Sequence, residues 1–332
     1  MKRLLPFLVF SCFALSIRPL AGEAVFTPLA QDAIVPAGSK LETLYDEGAF
    51  TEGPAAAPDG SVYFSDIGHR LLRWNPEDGK VSVIRDPNGK TNGLMFDAKG
   101  RLVACEGAND GGRRISRMER DGTVKTVADS FRGKRFNSPN DLAIRPDGAI
   151  YFTDPRYVGE EPRELDFQGV FMIDAGGEVS LASKKAKKPN GILFSKNGKV
   201  AYVADHQVED GGTRSLLAFR VKKDGAFGGS RVVHDFSPGR GVDGMALDAK
   251  GNVYATAGRG EKGGVYVFSP SGGHLAFIST PGSPTNCAFG RGKEAKTLYV
   301  TAGTKGADGR GKPYGLYRIR LAVPGHHAVS FE

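Results

Sequence analysis

Five short segments of the chain place a Glu, Asn or Asp eight residues ahead of a turn glycine, and a sixth segment begins in the same way before a longer turn. Their first residues, called head residues below, are Glu52, Asn92, Asn140, Asn190, Asp243 and Asn286. A repeat of roughly 40 to 50 residues is typical of an architecture in which one supersecondary unit is copied many times. We therefore expect the head residues to occupy equivalent places around an axis, where they can form one binding site.

The head residues offer only oxygen donors, two carboxylates and four side-chain amides. Hard cations such as Ca²⁺ take six to eight oxygen ligands, including Asn carbonyls, and two negative charges balance one divalent ion. Histidine and cysteine, which zinc and copper favour, are missing from these positions. The pattern predicts one divalent metal, with Ca²⁺ expected and Zn²⁺, Mn²⁺ and Mg²⁺ as alternatives. The competing interpretation is structural, because Asn and Asp before Gly are common turn residues.

The elements that must position these residues are strands. Each turn glycine is followed by an extended run such as SVYFSD (61–66) or AIYFTD (149–154), and further paired runs complete each unit. The pattern predicts an all-β, six-bladed β-propeller with four antiparallel strands per blade. The last unit lacks an obvious fourth strand, and KLETLY (40–45), ahead of the first repeat, is expected to fill that place and close the ring. In such a ring the head residues converge at the mouth of the central channel.

The first residues differ from the rest. Basic residues at the start, then a short apolar stretch and a run of small residues, predict a signal peptide over residues 1–24. One propeller domain is predicted over residues 25–332. We therefore expect an exported protein, periplasmic or extracellular, with no membrane attachment after signal removal. The formal net charge of +8 accompanies no nucleic-acid-binding motif, so no nucleic-acid partner is expected. Cys105 and Cys287 fall in separate repeats and are expected to be buried free thiols.

Other polar residues follow the second strand of the units. Asp66, Glu106, Asp154 and Asp205 end these strands, and two interpretations stay open: they orient ligands or water behind the metal, or they accept hydrogen bonds from loop backbone. His69 and His206 come just after two of the strands. Two orientations stay open for them, toward the pocket or toward solvent, and the second is more usual for a lone loop histidine. No GxSxG turn or Ser/His/Asp set is present, which argues against a serine hydrolase.

Several stretches resemble the family that contains gluconolactonases, regucalcin (senescence marker protein) and the luciferin-regenerating enzyme. They cover nearly the whole chain from about residue 40, and the runs NSPND and YFTDP are typical of its bacterial gluconolactonase-like branch. The matching stretches are FTEGP (50–54), NGLMFDAKGRLVACEG (92–107), RRISR (113–117), GKRFNSPNDLAIRPDGAIYFTDPRY (133–157), KPNGILFS (188–195), VDGMALDAKGNVY (242–254) and TNCAFG (285–290).

The resemblance implies a six-bladed propeller with one divalent metal, usually Ca²⁺, held by Glu52, Asn190 and Asp243. Asn140 corresponds to a metal ligand in some members and to a substrate contact in others. Asp243 corresponds to the acid/base candidate, and Asp141 to a position that contacts the hydroxyls of a sugar lactone. Together with Asn92, Asn140 and Asn286, Asp141 is expected to bind a small polyol-like substrate.

Two departures lie where substrate would be recognised. The bacterial branch often has a CEHG-type sequence where this chain has Cys105-Glu106-Gly107-Ala108, and Ser138 and Pro139 stand where the regucalcin branch has an Arg. The expected activity is metal-assisted hydrolysis of a sugar lactone, with Asp243 as acid/base or as nucleophile. Two other functions stay open: hydrolysis of organophosphorus esters at the same metal, and a non-catalytic propeller that binds a ligand.

Overall fold

The computed structural model describes residues 27–209, 211–304 and 311–331. Within these ranges it contains six four-stranded antiparallel sheets, arranged as the blades of a six-bladed β-propeller. The predicted fold class is confirmed. The predicted signal peptide, 1–24, lies outside the described residues, so that segment and the 25–332 domain boundary stay predictions.

Each blade is a meander whose first strand lines the channel. Blade 1 consists of Thr51–Ala56, Val62–Asp66, Arg70–Trp74 and Val81–Arg85. Blade 2 consists of Thr91–Phe96, Leu102–Glu106, Arg114–Met118 and Val124–Ala128. Blade 3 consists of Leu142–Ile144, Ile150–Asp154, Gly169–Ile173 and Val179–Ser183. Blade 4 consists of Pro189–Phe194, Val200–His206, Arg214–Val221 and Phe227–Asp235. Blade 5 consists of Met245–Leu247, Val253–Ala257, Gly264–Phe268 and His274–Ser279.

Blade 6 closes the ring with strands from both ends of the domain. Pro284–Phe289, Thr297–Thr304 and Gly311–Arg320 form its inner three strands, and Glu42–Gly48 pairs with the third. A 2.8 Å ion pair between Arg318 and Glu42 lies on this seam. The predicted closure by the N-terminal strand is therefore confirmed. The third strand of blade 6 is therefore paired on both sides, and Glu42–Gly48 becomes the outermost strand of the blade.

The short remaining elements lie outside the blades. They are the helix Gln31–Ile34, the 3₁₀ turns Gly260–Lys262 and Gly292–Glu294, and the hairpin Ser130–Phe131 with Lys134–Arg135. Over the three described ranges, no helix combines the length and apolarity needed to cross a membrane.

The hydrophobic core consists of layers between neighbouring blades. Between blades 6 and 1, for example, Phe64 and Leu72 pack with Tyr299 and Leu316. Because both faces of a middle strand meet a neighbouring blade, Leu102–Glu106 and Val253–Ala257 are buried along their whole length. Cys105 and Cys287 are buried free thiols, as predicted. This packing sets the rotation of each blade about the channel and so the direction of its head residue.

Direct contacts join the first strands of successive blades around the channel. Backbone N–H groups of Gly93, Gly191 and Gly244 donate to Asn140, Asp243 and Thr285 of the next blade, at 2.8 to 2.9 Å. Blade 6 joins blade 1 through the Thr285 hydroxyl, which donates to the Thr51 carbonyl at 2.8 Å. A Cβ on Gly191 would lie 2.1 Å from the Asp243 carbonyl oxygen. The glycine after a head residue is thus required by close approach of the next blade.

The C-terminal segment crosses the far end of the channel. The backbone of His326 donates to Leu247 at 2.8 Å, and the ring of His327 contacts the Gly290 carbonyl oxygen at 2.9 Å. Both histidines line a cavity of about 130 Å³ whose walls are mainly apolar side chains of the first strands. Asp141 and Asn286 also line this cavity. The head residues therefore mark the other end of the channel, where a ligand can enter.

Candidate functional site

The six head residues lie where each chain segment enters its first strand. Glu52, Asn92, Asn190 and Asn286 are within these strands, whereas Asn140 and Asp243 just precede the shorter strands of blades 3 and 5. Glu52, Asn190, Asp243 and Asn286 are buried, and Asn92 and Asn140 are half-buried.

Glu52 and Asp243 come together although three blades separate them along the chain. Burial, followed by the nearby charge of Asp243, raises the pKa of Glu52 well above its usual range. Burial also raises the pKa of Asp243, opposed by Arg240 and by a hydrogen bond from the Asn190 side chain. Two like charges held in a buried place are costly unless a cation or a proton compensates them. The structure therefore places Glu52, Asn190 and Asp243 in one cluster.

Asp141 and Asn286 adjoin this cluster. The side chain of Asn286 hydrogen-bonds both Glu52 and Asp141. The Asp141 carboxylate accepts backbone N–H groups of Leu142 at 2.9 Å and of Ile192, in blade 4, at 3.3 Å. Burial raises the pKa of Asp141 to about 7. Most units carry glycine at this position, so Asp141 is a sequence exception that places a carboxylate in the channel wall.

Asn92 and Asn140 are joined to the ring through their backbones. The Asn92 carbonyl accepts the Ser65 hydroxyl at 2.9 Å, and the Asn140 carbonyl accepts the Gly93 N–H at 2.8 Å. Both therefore stand at the mouth in the register of the other head residues. Their roles as substrate contacts, and that of Asn140 as a metal ligand, stay predictions.

Arg240 is a site residue that the sequence reasoning missed. Its guanidinium forms an ion pair with the Asp243 carboxylate and donates to the Pro284 carbonyl at 2.7 Å. It lies three residues ahead of Asp243 in a loop with no counterpart in the repeat, so periodicity gave no indication of it. The positive charge of Arg240 thus compensates the negative charge of Asp243 from one side.

Tyr157 is a second site residue that the sequence reasoning missed, although it lies at the end of the stretch 133–157 that resembles the family. It lies in the blade 3 loop that reaches over blade 4. Its hydroxyl donates to the backbone of His206 at 3.1 Å and hydrogen-bonds the side chain of Asn190. Burial raises the pKa of Tyr157 well above its usual range, with Asp243 as the next cause. Tyr157 thus positions Asn190 within the cluster.

The two loop histidines, His69 and His206, differ in their exposure to solvent. His69 is exposed, as expected for a lone loop histidine. For His206 that expectation is wrong: it is 5% exposed, because the second strand of blade 4 continues through it and Tyr157 packs against its ring. Burial and the positive charge of Arg240 lower the pKa of His206 to about 3.

Acid should therefore destabilise the protein through His206. Its folded-state pKa lies below the ordinary value of 6.5, so the unfolded chain binds more protons between pH 6.5 and 3 and stability falls as pH decreases through that window. At pH 4.5 we expect this group to cost about 2 kcal/mol of unfolding free energy relative to pH 7. Urea unfolding of wild type and His206→Gln at both pH values measures it.

The variant should lose most of this decrease, and His69→Gln, at the exposed histidine, should retain it. An equal decrease in wild type and His206→Gln would contradict the assignment.

The acids that end the second strands accept hydrogen bonds from loop backbone or form ion pairs. Asp66 accepts the N–H groups of Ala49 and Phe50 at 2.9 Å, and Asp205 accepts that of Lys188 at 3.0 Å. In blade 3, Asp154 accepts the N–H groups of Asn137 at 2.8 Å and Ser138 at 2.6 Å. Glu106 instead pairs with Arg85 and Arg114. The first three therefore fix the loops that lead into the head residues.

The chemistry of the cluster fits a hard divalent cation. Among the described residues, no three His, Cys, Asp or Glu side chains are grouped so that they could hold a metal ion. The candidate centre depends instead on two acids and on amide oxygens, the donor type that Ca²⁺ accepts. A cation held by this cluster would compensate the repulsion that the charge of Asp243 exerts on Glu52. Metal binding itself stays a prediction.

Comparison with known proteins agrees with this architecture. Residues 50–304 match the sequence profile described as the SMP-30/Gluconolactonase/LRE-like region. The chain belongs to this family. The family resemblance predicted from the motifs is confirmed.

Individual relatives resemble the chain over most of its length. A gluconolactonase of Zymomonas mobilis is 29% identical over 313 residues, which cover 86% of this chain and 85% of that protein. The structure of a gluconolactonase from Xanthomonas campestris is 33% identical and superposes with a TM-score of 0.76, covering 89% and 93% of the two chains. Regucalcin from Agrobacterium tumefaciens, described as a calcium-binding protein, is 21% identical with a TM-score of 0.69 and covers 89% and 98%. At that identity the likeness concerns the fold alone.

Proposed function

We propose that this protein is a divalent-metal-dependent lactonase that opens a sugar lactone or a related cyclic ester. The observation that carries the proposal is the buried cluster at the channel mouth, where Glu52 lies within electrostatic range of Asp243 and Asn190 hydrogen-bonds Asp243. Membership of the family supports the same activity, because relatives that cover most of the chain are gluconolactonases.

Glu52, Asn190 and Asp243 would hold the cation, with Asn140 as a further ligand. When bound, the ion supplies a Lewis acid that polarises the lactone carbonyl and stabilises the charge developing on its oxygen. Calcium is the ion that this donor set favours.

Asp243 carries the proton transfer in this mechanism. Its carboxylate accepts a proton from the attacking water or returns one to the ring oxygen as that oxygen leaves. Arg240, ion-paired with it, favours the ionised form that a base requires. Direct attack by the Asp243 carboxylate on the lactone carbonyl is the alternative route. It would form a mixed anhydride on Asp243 as the ring oxygen leaves as an alcohol, and trapping of that acyl-enzyme would identify it.

The amides and Asp141 orient the substrate. Asn92, Asn140 and Asn286 present donors and acceptors for ring hydroxyls around the mouth. The Asn286 side chain already bridges Glu52 and Asp141, so a hydroxyl bound there is held against the reacting centre. Positioning of this kind lowers the entropic part of the barrier.

A substrate panel tests the proposal. We expect purified protein with Ca²⁺ to hydrolyse glucono-δ-lactone or another sugar lactone well above the spontaneous rate. A phosphotriester panel is measured in parallel, since hydrolysis of these esters alone would replace the lactone proposal by a phosphotriesterase. Failure to turn over any lactone or phosphotriester with metal demonstrably bound would indicate a non-catalytic binding propeller.

A further inference from the structure

The side-chain amide of Asn190 has protein partners on two sides. It hydrogen-bonds the Tyr157 hydroxyl and the Asp243 carboxylate. An asparagine side chain offers two N–H donors at Nδ2 and an acceptor atom, Oδ1, and the surrounding hydrogen bonds decide which of them faces a given neighbour. The orientation of this amide therefore decides whether Asn190 can give oxygen to a cation.

The Tyr157 hydroxyl has a single proton, and backbone oxygens accept it. The hydroxyl oxygen lies 3.1 Å from the His206 carbonyl oxygen and 3.3 Å from the Lys188 carbonyl oxygen. Because carbonyl oxygens only accept, the proton is directed to them and the hydroxyl lone pairs are left for Asn190. Asn190 therefore donates an Nδ2–H to Tyr157.

The electrostatic effects of Asn190 on its two partners agree with this direction. Burial raises the pKa of Tyr157 and that of Asp243, and in both cases the hydrogen bond with Asn190 opposes the increase. A hydrogen bond acts in this way when it stabilises the anionic form of an acid, so Asn190 is the donor to both groups.

Two donated hydrogen bonds use both protons of Asn190 Nδ2. Oδ1 is then the atom that remains for a further partner. The reverse orientation would place Oδ1 against the Asp243 carboxylate, with no proton between two acceptors. Asparagine carbonyl oxygens are among the ligands that Ca²⁺ accepts, so the observed orientation is the one that suits a cation.

Asn286 is oriented in the opposite sense. Its Oδ1 accepts the backbone N–H of Cys287 at 2.8 Å. Its side chain also hydrogen-bonds Glu52 and Asp141, and in both acids this bond opposes the increase in pKa that burial causes. Asn286 therefore directs its nitrogen toward these acids and gives no oxygen to a cation held between them. The two buried amides thus differ in which atom they present.

We propose that Tyr157 is a positioning residue for the cation: it accepts one Asn190 proton while Asp243 accepts the other, and so holds Asn190 Oδ1 in the orientation that binds metal. This inference rests on the metal site of the proposed function and goes beyond it by naming a residue that determines metal affinity. Groups that orient a metal ligand from behind typically contribute about 10- to 100-fold to affinity.

Tyr157→Phe tests the inference because it removes only the hydroxyl. The phenyl ring retains the contacts that the Tyr157 ring makes with His206, at 6.3 Å between centroids, and with Lys188 Nζ, 5.0 Å from the centroid. In calorimetric titration of metal-free protein with Ca²⁺, we expect Kd to increase by at least about tenfold. An unchanged Kd would overturn the inference.

Tyr151→Phe is the matched control. Tyr151 is also buried in blade 3 and donates its hydroxyl proton to a backbone carbonyl, that of Gly225, at 3.0 Å. It lies outside the cluster, so this variant should bind Ca²⁺ like wild type. An equal loss of affinity in both variants would show a general effect of removing a buried hydroxyl and would contradict the assigned role.

Asn190→Asp separates orientation of the amide from support of the loop. A carboxylate offers oxygen whichever way it turns, so Tyr157→Phe should lose most of its effect on Kd in the Asn190→Asp background. The same loss of affinity in both backgrounds would mean that Tyr157 acts through the loop alone, and the inference would be wrong.

Nuclear magnetic resonance of metal-free, ¹⁵N-labelled protein tests the orientation without any metal. The Asn190 side-chain NH₂ signals, identified by their absence in Asn190→Asp, should shift and exchange faster with solvent in Tyr157→Phe but not in Tyr151→Phe. Unchanged signals in Tyr157→Phe would overturn the inference. Absence of Ca²⁺ binding by wild type would instead refute the metal site of the proposed function.

Discussion

Asp243→Asn is expected to reduce kcat/KM for lactone hydrolysis by at least about 1,000-fold, because it removes both a proton acceptor and an anionic metal ligand. The same change leaves Arg240 without the carboxylate it now pairs with. Hydrolysis followed by pH-stat titration at saturating Ca²⁺, with the spontaneous rate subtracted, measures the effect.

Asp97→Asn is the matched control. Asp97 is also ion-paired with an arginine, Arg101, but at the turn between the first and second strands of blade 2, at the end opposite the channel mouth. This variant should keep wild-type kcat/KM. A loss of activity in Asp243→Asn but not in Asp97→Asn is then specific to the channel mouth. If Asp243→Asn retained activity within tenfold of wild type, Asp243 would be neither the acid/base nor the nucleophile.

Removal of divalent metal by a chelator is expected to abolish turnover and to lower the melting temperature. A ligand at 100 times its Kd stabilises the folded state by about 2.7 kcal/mol, which for a domain of this size raises Tm by about 4 °C. Adding back Ca²⁺, Zn²⁺, Mn²⁺ and Mg²⁺ separately, with thermal shift and activity read together, ranks the ions.

Glu52→Gln gives this experiment a second readout. In metal-free protein we expect its Tm to rise, because the amide removes the buried repulsion with Asp243 that raises the pKa of Glu52. Its Ca²⁺-dependent increase in Tm should be largely lost. Glu119→Gln, at a surface acid paired with Arg117, should keep the wild-type increase. A full Ca²⁺ effect in Glu52→Gln would remove this residue from the proposed ligand set.

The fold could be predicted from the sequence because its determinants are local. Alternating apolar residues specify strands, turn glycines separate them, and the repeat indicates how many blades there are. Even the closing strand could be placed, since the last unit lacked one and a strand-like run preceded the first. The packing between neighbouring blades follows from the same repeat, so it required no further information to predict.

The irregular parts of the site could not be predicted in this way. His206 was expected to face solvent, yet it is buried by a tyrosine from the neighbouring blade. Tyr157 and Arg240 lie in loops whose courses depend on packing against blades 4 and 5. No periodic signal describes such a loop, so its contacts emerge only when the neighbouring blade is in place.

The sequence alone determined the blade count, the strand order and the oxygen-donor character of the head residues, because these follow from short-range pattern and residue type. Only the tertiary structure decided that Glu52 lies within electrostatic range of Asp243 and that Arg240 and Tyr157 adjoin them. The physical reason is that none of these contacts follows from a regular local pattern. Glu52 and Asp243 are far apart along the chain and approach only in the closed ring, whereas Arg240 and Tyr157 lie in irregular loops that take their course against neighbouring blades.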